Sequence, residues 1–266
     1  MKRLIVAFMV AVLLLSVSVA AVTAAPPADN PGKGPPDLTK GVFVHYPKDL
    51  EAKGGKPGAP DKPPKPDDHG GGKLWYKYGG IHWVNPEANY LYNPNGQPDN
   101  YLSAIEAGFD EWESVEGADF DFLYAGNTIE GISSLINDAD GFNVVGWANL
   151  DDYGFSNAIA VTMFWYDPLT GLISEIDMAF NNNTKFAWHV NDDSDEIWDY
   201  ADTDAYDVDV RNIATHEAGH WLILGDMYNK PANEQTMYGI SAEFELQKRS
   251  LESGDKAGII EIYPSS

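Results

Sequence analysis

The 266-residue sequence contains no cysteine, and its 41 acidic side chains far outnumber its 17 basic ones. The absence of cysteine excludes a disulfide scaffold, a thiolate nucleophile and a cysteine-ligated metal site. The formal net charge of −24 disfavours nucleic acid and anionic membrane surfaces as partners, because like charges repel each other. Aromatic residues make up 12% of the chain, so the composition also excludes wholesale disorder.

Long apolar runs are equally scarce, and the one that stands out is at the start of the chain. Lys2 and Arg3 precede the apolar residues 4–21, and small residues follow up to Ala24. This pattern is typical of a secretory signal peptide over residues 1–24, with cleavage after Ala24. The run also approaches the roughly 20 residues that span a bilayer, which leaves an uncleaved anchor as the alternative. In both cases we expect the rest of the chain outside the cytoplasm, and we predict a secreted protein.

Residues 25–72 differ in composition from the rest of the chain. They contain 11 of the 17 prolines and 9 of the 25 glycines, and their charges cancel. Such a segment buries too little apolar surface to offset its ordering entropy, so we predict a mostly disordered linker or pro-segment. Residues 41–46 are the exception, because they alternate like a short strand. The sequence leaves open whether this strand docks on the domain that follows or stays isolated.

Residues 73–266 are acidic and rich in aromatic side chains, and their length suits one domain. Asn100 is a candidate cap for a helix whose apolar face recurs at steps of three and four, formed by Leu102, Ile105, Phe109 and Trp112. A second helix is predicted to begin near Asp207 or Asp209 and to end in the 220s. Alternating patterns predict strands over 74–84, 118–124 and 142–150, and a hairpin of 158–166 with 172–181. This order of elements indicates an α+β fold.

Two histidines lie four residues apart in the second predicted helix, within His-Glu-Ala-Gly-His at 216–220. Residues at i and i+4 share a helix face, so the imidazoles of His216 and His220 point to one place where Zn²⁺ can bind. Glu217 lies beside that place, close enough to take a proton from a water activated by the metal. Solvated histidines, or histidines paired with carboxylates in the core, are the alternative.

A catalytic zinc site needs a third protein ligand and one open position. Gly225 can adopt the left-handed conformation that ends a helix, and a turn there would bring the carboxylate of Asp226 toward the metal. We therefore predict Asp226 as the third ligand. The rival ligand is a glutamate further along the chain, Glu243 or Glu245, which would require another helix in a stretch with little periodicity.

These residues resemble the zinc signature of the metzincin proteases, in which the third ligand is His or, in some bacterial members, Asp. Residues 236–239 (Thr-Met-Tyr-Gly) are similar to the Met-turn, which would place Met237 beneath the metal. Residues 174–181 and 249–264 are similar to the strand and the closing helix of matrixin catalytic domains. The resemblance implies a twisted mixed sheet packed on an N-terminal helix and an active-site helix, with an irregular C-terminal subdomain and a short closing helix.

The sequence departs from the family pattern at three points. The family's helix-ending glycine falls on Ile223, so Gly225 would have to make the turn. The cysteine that keeps matrixins latent is missing, and the histidines of the structural zinc of animal matrixins have no clear counterpart. Were the segment 25–72 packed, His45 or residues 67–69 would become candidates for capping the zinc.

The resemblance implies a zinc endopeptidase in which Glu217 is the general base and an extended polypeptide substrate lies along an edge strand, for which residues 158–166 are the candidate. We expect a monomer with polypeptide substrates, no nucleic-acid partner and no membrane partner beyond the export signal. Acidic runs at 191–196 and 202–209 offer oxygen ligands for Ca²⁺, or else are solvated.

Two other functions stay open. One is a zinc hydrolase that acts on a different amide. The other is a non-catalytic extracellular binding module whose aromatic side chains stack on sugars or peptides, using Trp75, Tyr76, Trp147, Trp165 and Trp198. An intact Glu217 argues against a pure binding module, which needs no general base.

Overall fold

The computed structural model describes residues 38–48, 76–97, 101–190 and 204–265. In these ranges the strands are β1 (Thr39–Pro47), β2 (Glu87–Tyr92), β3 (Asp121–Asn127), β4 (Val144–Ala148), β5 (Ala160–Tyr166), β6 (Ile173–Asn181), β7 (Phe186–His189), β8 (Tyr206–Asp209) and β9 (Ile240–Ser241). The α-helices are α1 (Leu102–Glu113), α2 (Val210–Trp221) and α3 (Ser253–Ile262). The predicted signal peptide, most of the predicted linker and the acidic residues 191–203 lie outside the described residues. No described helix is long and apolar enough to cross a membrane.

A seven-stranded mixed sheet with the order β3-β2-β4-β6-β5-β1-β9 forms the framework of the domain. Strand β2 runs parallel to β3 and β4, and β4 runs parallel to β6. The hairpin partner β5 is antiparallel to β6, as predicted for residues 158–166 and 172–181. Strands β7 and β8 form a separate parallel pair that leads directly into α2. The α+β prediction is confirmed.

Helices α1 and α2 pack against each other on one side of the sheet. The predicted apolar face of α1 is the buried one, with Ile105, Phe109 and Trp112 almost completely inaccessible. A Cβ atom at Gly108 would lie 2.8 Å from the backbone nitrogen of Thr215, so the absence of a side chain permits this close approach of the helices. The indole Nε1 of Trp112 donates to the Thr215 carbonyl across the contact at 2.7 Å. α1 thereby fixes the position of the helix that carries the two histidines.

One sequence prediction fails before α1, and another concerns a residue that the structure does not describe. The aromatic stretch predicted as a strand over 74–84 is irregular in its described part, with only isolated bridges at Tyr78 and His82. The strand that enters the sheet is β2. Its alternating buried residues are Ala88, Tyr90 and Tyr92, and the polar residues of this stretch make the pattern hard to recognise in the sequence. The predicted cap Asn100 lies outside the described residues, and the residue at the N-cap is Tyr101, which makes no side-chain cap hydrogen bond.

The short strand predicted within residues 25–72 does dock on the domain. β1 pairs antiparallel with β5 over seven residue pairs and then parallel with β9. Its residues alternate between buried and half-buried along its length. The strand expected at residues 41–46 thus extends over 39–47 and belongs to the sheet, while most of the predicted linker lies outside the described residues.

Two buried carboxylates on β6 anchor the connection between β3 and β4. Glu175 accepts a hydrogen bond from the Gly141 N–H at 2.5 Å, and Asp177 accepts from the N–H groups of Ser134 at 3.1 Å and Val144 at 2.8 Å. Burial raises the pKa of Glu175 to about 7, against the hydrogen bond from Gly141. Burial likewise raises the pKa of Asp177 to about 6. The folded state therefore binds protons more tightly than the unfolded chain at these two sites.

We expect the free energy of unfolding to fall as the pH rises from about 5 to about 8, because a raised carboxyl pKa stabilises the fold only while the group stays protonated. Glu175→Gln removes one of the two ionisations, so its unfolding midpoint should decline less over this range. Urea unfolding at a series of pH values measures this. Glu87→Gln, at an exposed position, is the control and should follow the wild type. Parallel pH profiles for wild type and Glu175→Gln would contradict the assignment.

Candidate metal centre

Helix α2 carries both predicted histidines and is buried along almost its whole length. Its N-terminus is capped by Asp209, which accepts a hydrogen bond from the Asn212 N–H at 2.7 Å. The same carboxylate pairs with the guanidinium of Arg249 at 2.6 Å. The sequence prediction of a helix beginning near Asp209 is confirmed. This end of α2 is thereby tied to the C-terminal part of the domain.

The structure brings His216, His220 and Asp226 together. Oδ1 of Asp226 lies 3.2 Å from Nε2 of His216 and 3.5 Å from Nε2 of His220. All three atoms are buried, and none makes a hydrogen bond of acceptable geometry with a described residue. Three converging, unsatisfied ligand atoms of this kind are costly unless a cation occupies the space between them. Two imidazoles and one carboxylate suit Zn²⁺, so the residues present fit the predicted metal.

Backbone carbonyls fix the orientation of both imidazoles. Nδ1 of His216 lies 2.6 Å from the Thr236 carbonyl, and Nδ1 of His220 lies 2.7 Å from the Leu224 carbonyl. A carbonyl only accepts, so each Nδ1 is the protonated donor and each Nε2 keeps its lone pair for a metal. The two carbonyls belong to the loops that follow α2, and the geometry of those loops therefore sets the ligand geometry.

The loop after α2 turns at Ile223 and not at Gly225. Ile223 has a φ of 58°, whereas Gly225 is not among the residues with positive φ. The N–H groups of Ile223 and Leu224 donate to the carbonyls of His220 and Gly219, which is the hydrogen-bond pattern of a Schellman cap. The prediction that Gly225 makes the turn is wrong. A β-branched residue occupies the left-handed position itself, and Asp226 still reaches the histidines.

Met237 lies directly beneath the helix that carries the histidines. It is completely buried, and a Cβ atom at Gly219 would lie 2.2 Å from its sulfur. The carboxylate of Asp255 in α3 accepts from the N–H groups of Thr236 at 2.8 Å and Met237 at 3.1 Å. The closing helix therefore holds the turn whose Thr236 carbonyl orients His216.

Comparison with known families agrees with this geometry. The matrixin family model matches residues 168–264, a range that contains the β5–β6 turn, α2, the turn at Met237 and α3. The part of the chain that carries the candidate ligands is therefore similar to matrixin-like metzincin catalytic domains. The match supports a zinc metalloprotease in general terms. A comparison with curated proteins gives no significant match.

The glutamate of the matrixin-like centre is held between β5 and β1. Oε2 of Glu217 accepts a hydrogen bond from the Thr162 hydroxyl at 2.6 Å, and Oε1 makes no hydrogen bond with a described residue. Burial raises the pKa of the Glu217 carboxyl, and the imidazoles of His220 and His216 oppose that shift. One oxygen is thus held by Thr162, and the other lies 3.4 Å from Nδ1 of His45 on β1.

The rival third ligands are engaged elsewhere in the matrixin-like domain. Glu243 accepts from the Asp207 N–H at 3.4 Å, and Glu245 pairs with Lys248. Neither belongs to a group of metal-ligating side chains among the described residues. Asp226 is therefore the candidate whose carboxylate lies within 3.5 Å of both histidine nitrogens.

The predicted calcium ligands and aromatic platforms gain no support. Asp207 pairs with His189 at 2.7 Å, and Asp209 caps α2, so both carboxylates have protein partners. The run 191–196 lies outside the described residues. Tyr76 and Trp147 are buried in the core, and the half-buried Trp165 donates to the Ser134 hydroxyl. Trp75 and Trp198 lie outside the described residues.

Sequence reasoning missed most of the residues that surround the ligands. Thr162 carries no local signal, because it contacts Glu217 from a distant strand. Asp255 belongs to the stretch that resembles the closing helix, but its hydrogen bond to the Met237 N–H could not be predicted from that. The sequence offers His45 only as a cap that a packed segment would provide, and the structure buries it completely beside His216. The alternation of residues 41–46 was the only signal that could have placed it there.

We expect Ile223→Gly to be more stable than Ile223→Ala by about 1 kcal/mol, because both lose the buried side chain but only glycine relieves the left-handed backbone. Urea unfolding of both variants at one zinc concentration measures the difference. At Ile213, a buried α2 residue outside the positive-φ set, the order should reverse, since glycine in a helix interior costs about 1 kcal/mol relative to alanine. The same order at both positions would contradict the assigned turn.

Proposed function

We propose that the chain is an exported zinc endopeptidase that hydrolyses extended polypeptides. The observation that carries the proposal is the buried convergence of His216, His220 and Asp226 on one point, with the carboxylate of Glu217 beside them. The matrixin match over residues 168–264 supports it. A pure binding domain has no use for a buried, half-satisfied carboxylate at such a centre.

In this proposal His216, His220 and Asp226 hold the metal, and Glu217 acts as the general base. Zinc held there would supply Lewis acidity to a scissile carbonyl and to a water molecule. Glu217 would take the proton of the attacking water at Oε1 and pass it to the amine that leaves when the peptide C–N bond breaks. The hydrogen bond from Thr162 to Oε2 keeps the carboxylate in place during both transfers.

The substrate would lie along β5, the strand next to the centre. Thr162 on β5 contacts Glu217 directly, so a peptide paired with this strand would pass beside the catalytic carboxylate. Pairing with a strand edge supplies main-chain hydrogen bonds that do not depend on sequence. That β5 accepts a further strand supports the proposal, since β1 pairs with it over seven residues.

The remaining proposals follow from the sequence. We propose export through the signal peptide at residues 1–24, a secreted location and action as a monomer on polypeptides. The high acidic charge supports the expectation that nucleic acid is not a partner.

Glu217→Gln should retain one zinc per chain and lower peptide hydrolysis about 10²–10⁴-fold, because it removes the general base without removing a ligand. Cleavage of an unfolded protein and zinc content after dialysis give the two measurements. Glu234→Gln, at an exposed position near the Met237 turn, is the matched control and should leave both unchanged. Full hydrolysis by Glu217→Gln would overturn the assigned role.

Asp226→Ala should lose most of its zinc, because two imidazoles alone hold the ion weakly. Asp226→His should recover part of the zinc content, since imidazole is itself a common zinc ligand. Glu243→Ala and Glu245→Ala should retain zinc. Tight zinc in Asp226→Ala together with its loss in either glutamate variant would show that the third ligand is wrong.

A further inference from the structure

Strand β1 lies in the place that an extended substrate would need. It pairs antiparallel with β5 from Thr39 opposite Tyr166 to His45 opposite Ala160. It then pairs parallel with β9, with Tyr46 opposite Ile240. The edge of β5 nearest the catalytic carboxylate is therefore already filled by the chain's own N-terminal segment.

The inward side chains of β1 cover the metal centre. The ring of Phe43 stacks on the imidazole of His220, with centroids 4.1 Å apart and planes within 3°. The ring of His45 meets His216 edge-on at 4.0 Å. Phe43 lies opposite Thr162, the residue that holds Glu217. Each of the two histidine ligands is thus covered by one β1 side chain.

His45 takes the space beside the catalytic carboxylate. Its Nδ1 lies 3.4 Å from Oε1 of Glu217, and its Nε2 lies 2.9 Å from the hydroxyl of Ser241 on β9. Neither Nδ1 of His45 nor Oε1 of Glu217 makes a hydrogen bond of acceptable geometry with a described residue. A scissile amide could not approach Oε1 while this imidazole is present.

Two further residues of β1 fix the strand against its neighbours. Lys40 donates to the Ser134 carbonyl and lies over the ring of Trp165 at 5.6 Å. Gly41 packs so closely on Phe164 that a Cβ atom there would lie 2.0 Å from the ring. β1 therefore fits the cleft along its length, and the fit depends on the missing side chain at residue 41.

We infer that β1 is a built-in occupant of the catalytic cleft that lowers hydrolysis by the full chain, and that displacing it raises the activity. β1 places one ring against each of the two histidines and an imidazole 3.4 Å from Oε1 of Glu217, which is where an extended substrate would have to lie. The chain between β1 and the rest of the domain keeps the effective concentration of the strand high, so a free substrate competes poorly. The inhibitory consequence rests on the proposed function, whereas the occupancy of the cleft does not.

The test uses Gly41→Val in the full chain, because the added side chain collides with Phe164 without altering any residue assigned to catalysis or metal binding. We expect hydrolysis of an unfolded protein to rise on the order of tenfold or more, since the tethered competitor is lost. Lys48→Ala, at the exposed residue that follows β1, is the matched control and should hydrolyse at the wild-type rate. Zinc content should be the same in all three proteins.

A binding measurement separates the two proposals. A fluorescent synthetic peptide of residues 38–48 should bind the Gly41→Val/Glu217→Gln chain, which cannot cleave it, and should not bind Glu217→Gln alone. Binding without hydrolysis in Gly41→Val would support the occupancy of the cleft and overturn the endopeptidase proposal. A folded Gly41→Val chain with wild-type hydrolysis and no peptide binding would overturn the inference. If Gly41→Val does not fold, Phe43→Ala, which removes the stacking on His220, replaces it. Hydrolysis and peptide binding are then measured for Phe43→Ala with the same expected and contradicting results.

Discussion

The hydrogen bonds from the two imidazoles to the carbonyls of Thr236 and Leu224 are the constraint on which the rest of the structure depends. They fix which nitrogen of each ring faces the centre, and a metal site fails if either ring turns. Both acceptors lie in loops, so the loops themselves must be held. The Schellman cap at Ile223 holds the Leu224 carbonyl, and the carboxylate of Asp255 holds the turn at Thr236. Much of the C-terminal part of the domain serves these two hydrogen bonds.

The features that sequence predicted well are those with a local cause. The spacing of His216 and His220 on a helix, the apolar face of α1 and the β5–β6 hairpin each follow from a short periodic pattern. The zinc ligands could be proposed because a helix places i and i+4 on one face whatever surrounds it. The third ligand needed a chain reversal after the helix, and Asp226 is in place although the residue that makes the reversal was misidentified.

The misidentified reversal shows why local rules are incomplete. Glycine is the usual residue at a left-handed helix end because it has no Cβ, so Gly225 was the natural choice. The structure places Ile223 there, with its side chain buried, and the apolar burial offsets the backbone strain. Propensity could not reveal this, because the compensation comes from contacts distant in sequence. The contacts of Thr162 and Asp255 could not be predicted for the same reason, since they depend on which strands and helices pack together.

The position of β1 reflects a balance between sheet closure and chemistry. An open edge on β5 would expose unpaired backbone groups, and β1 covers them over its full length. The composition of residues 25–72 predicts disorder because their average apolar content is low. Phe43 and His45 are nevertheless buried, and their rings pack on the imidazoles of His220 and His216. The same strand places Nδ1 of His45 3.4 Å from Oε1 of Glu217 at the centre of the cleft. Backbone pairing therefore favours the occupied state, and an extended peptide can reach Glu217 along β5 only by replacing the pairing that β1 makes.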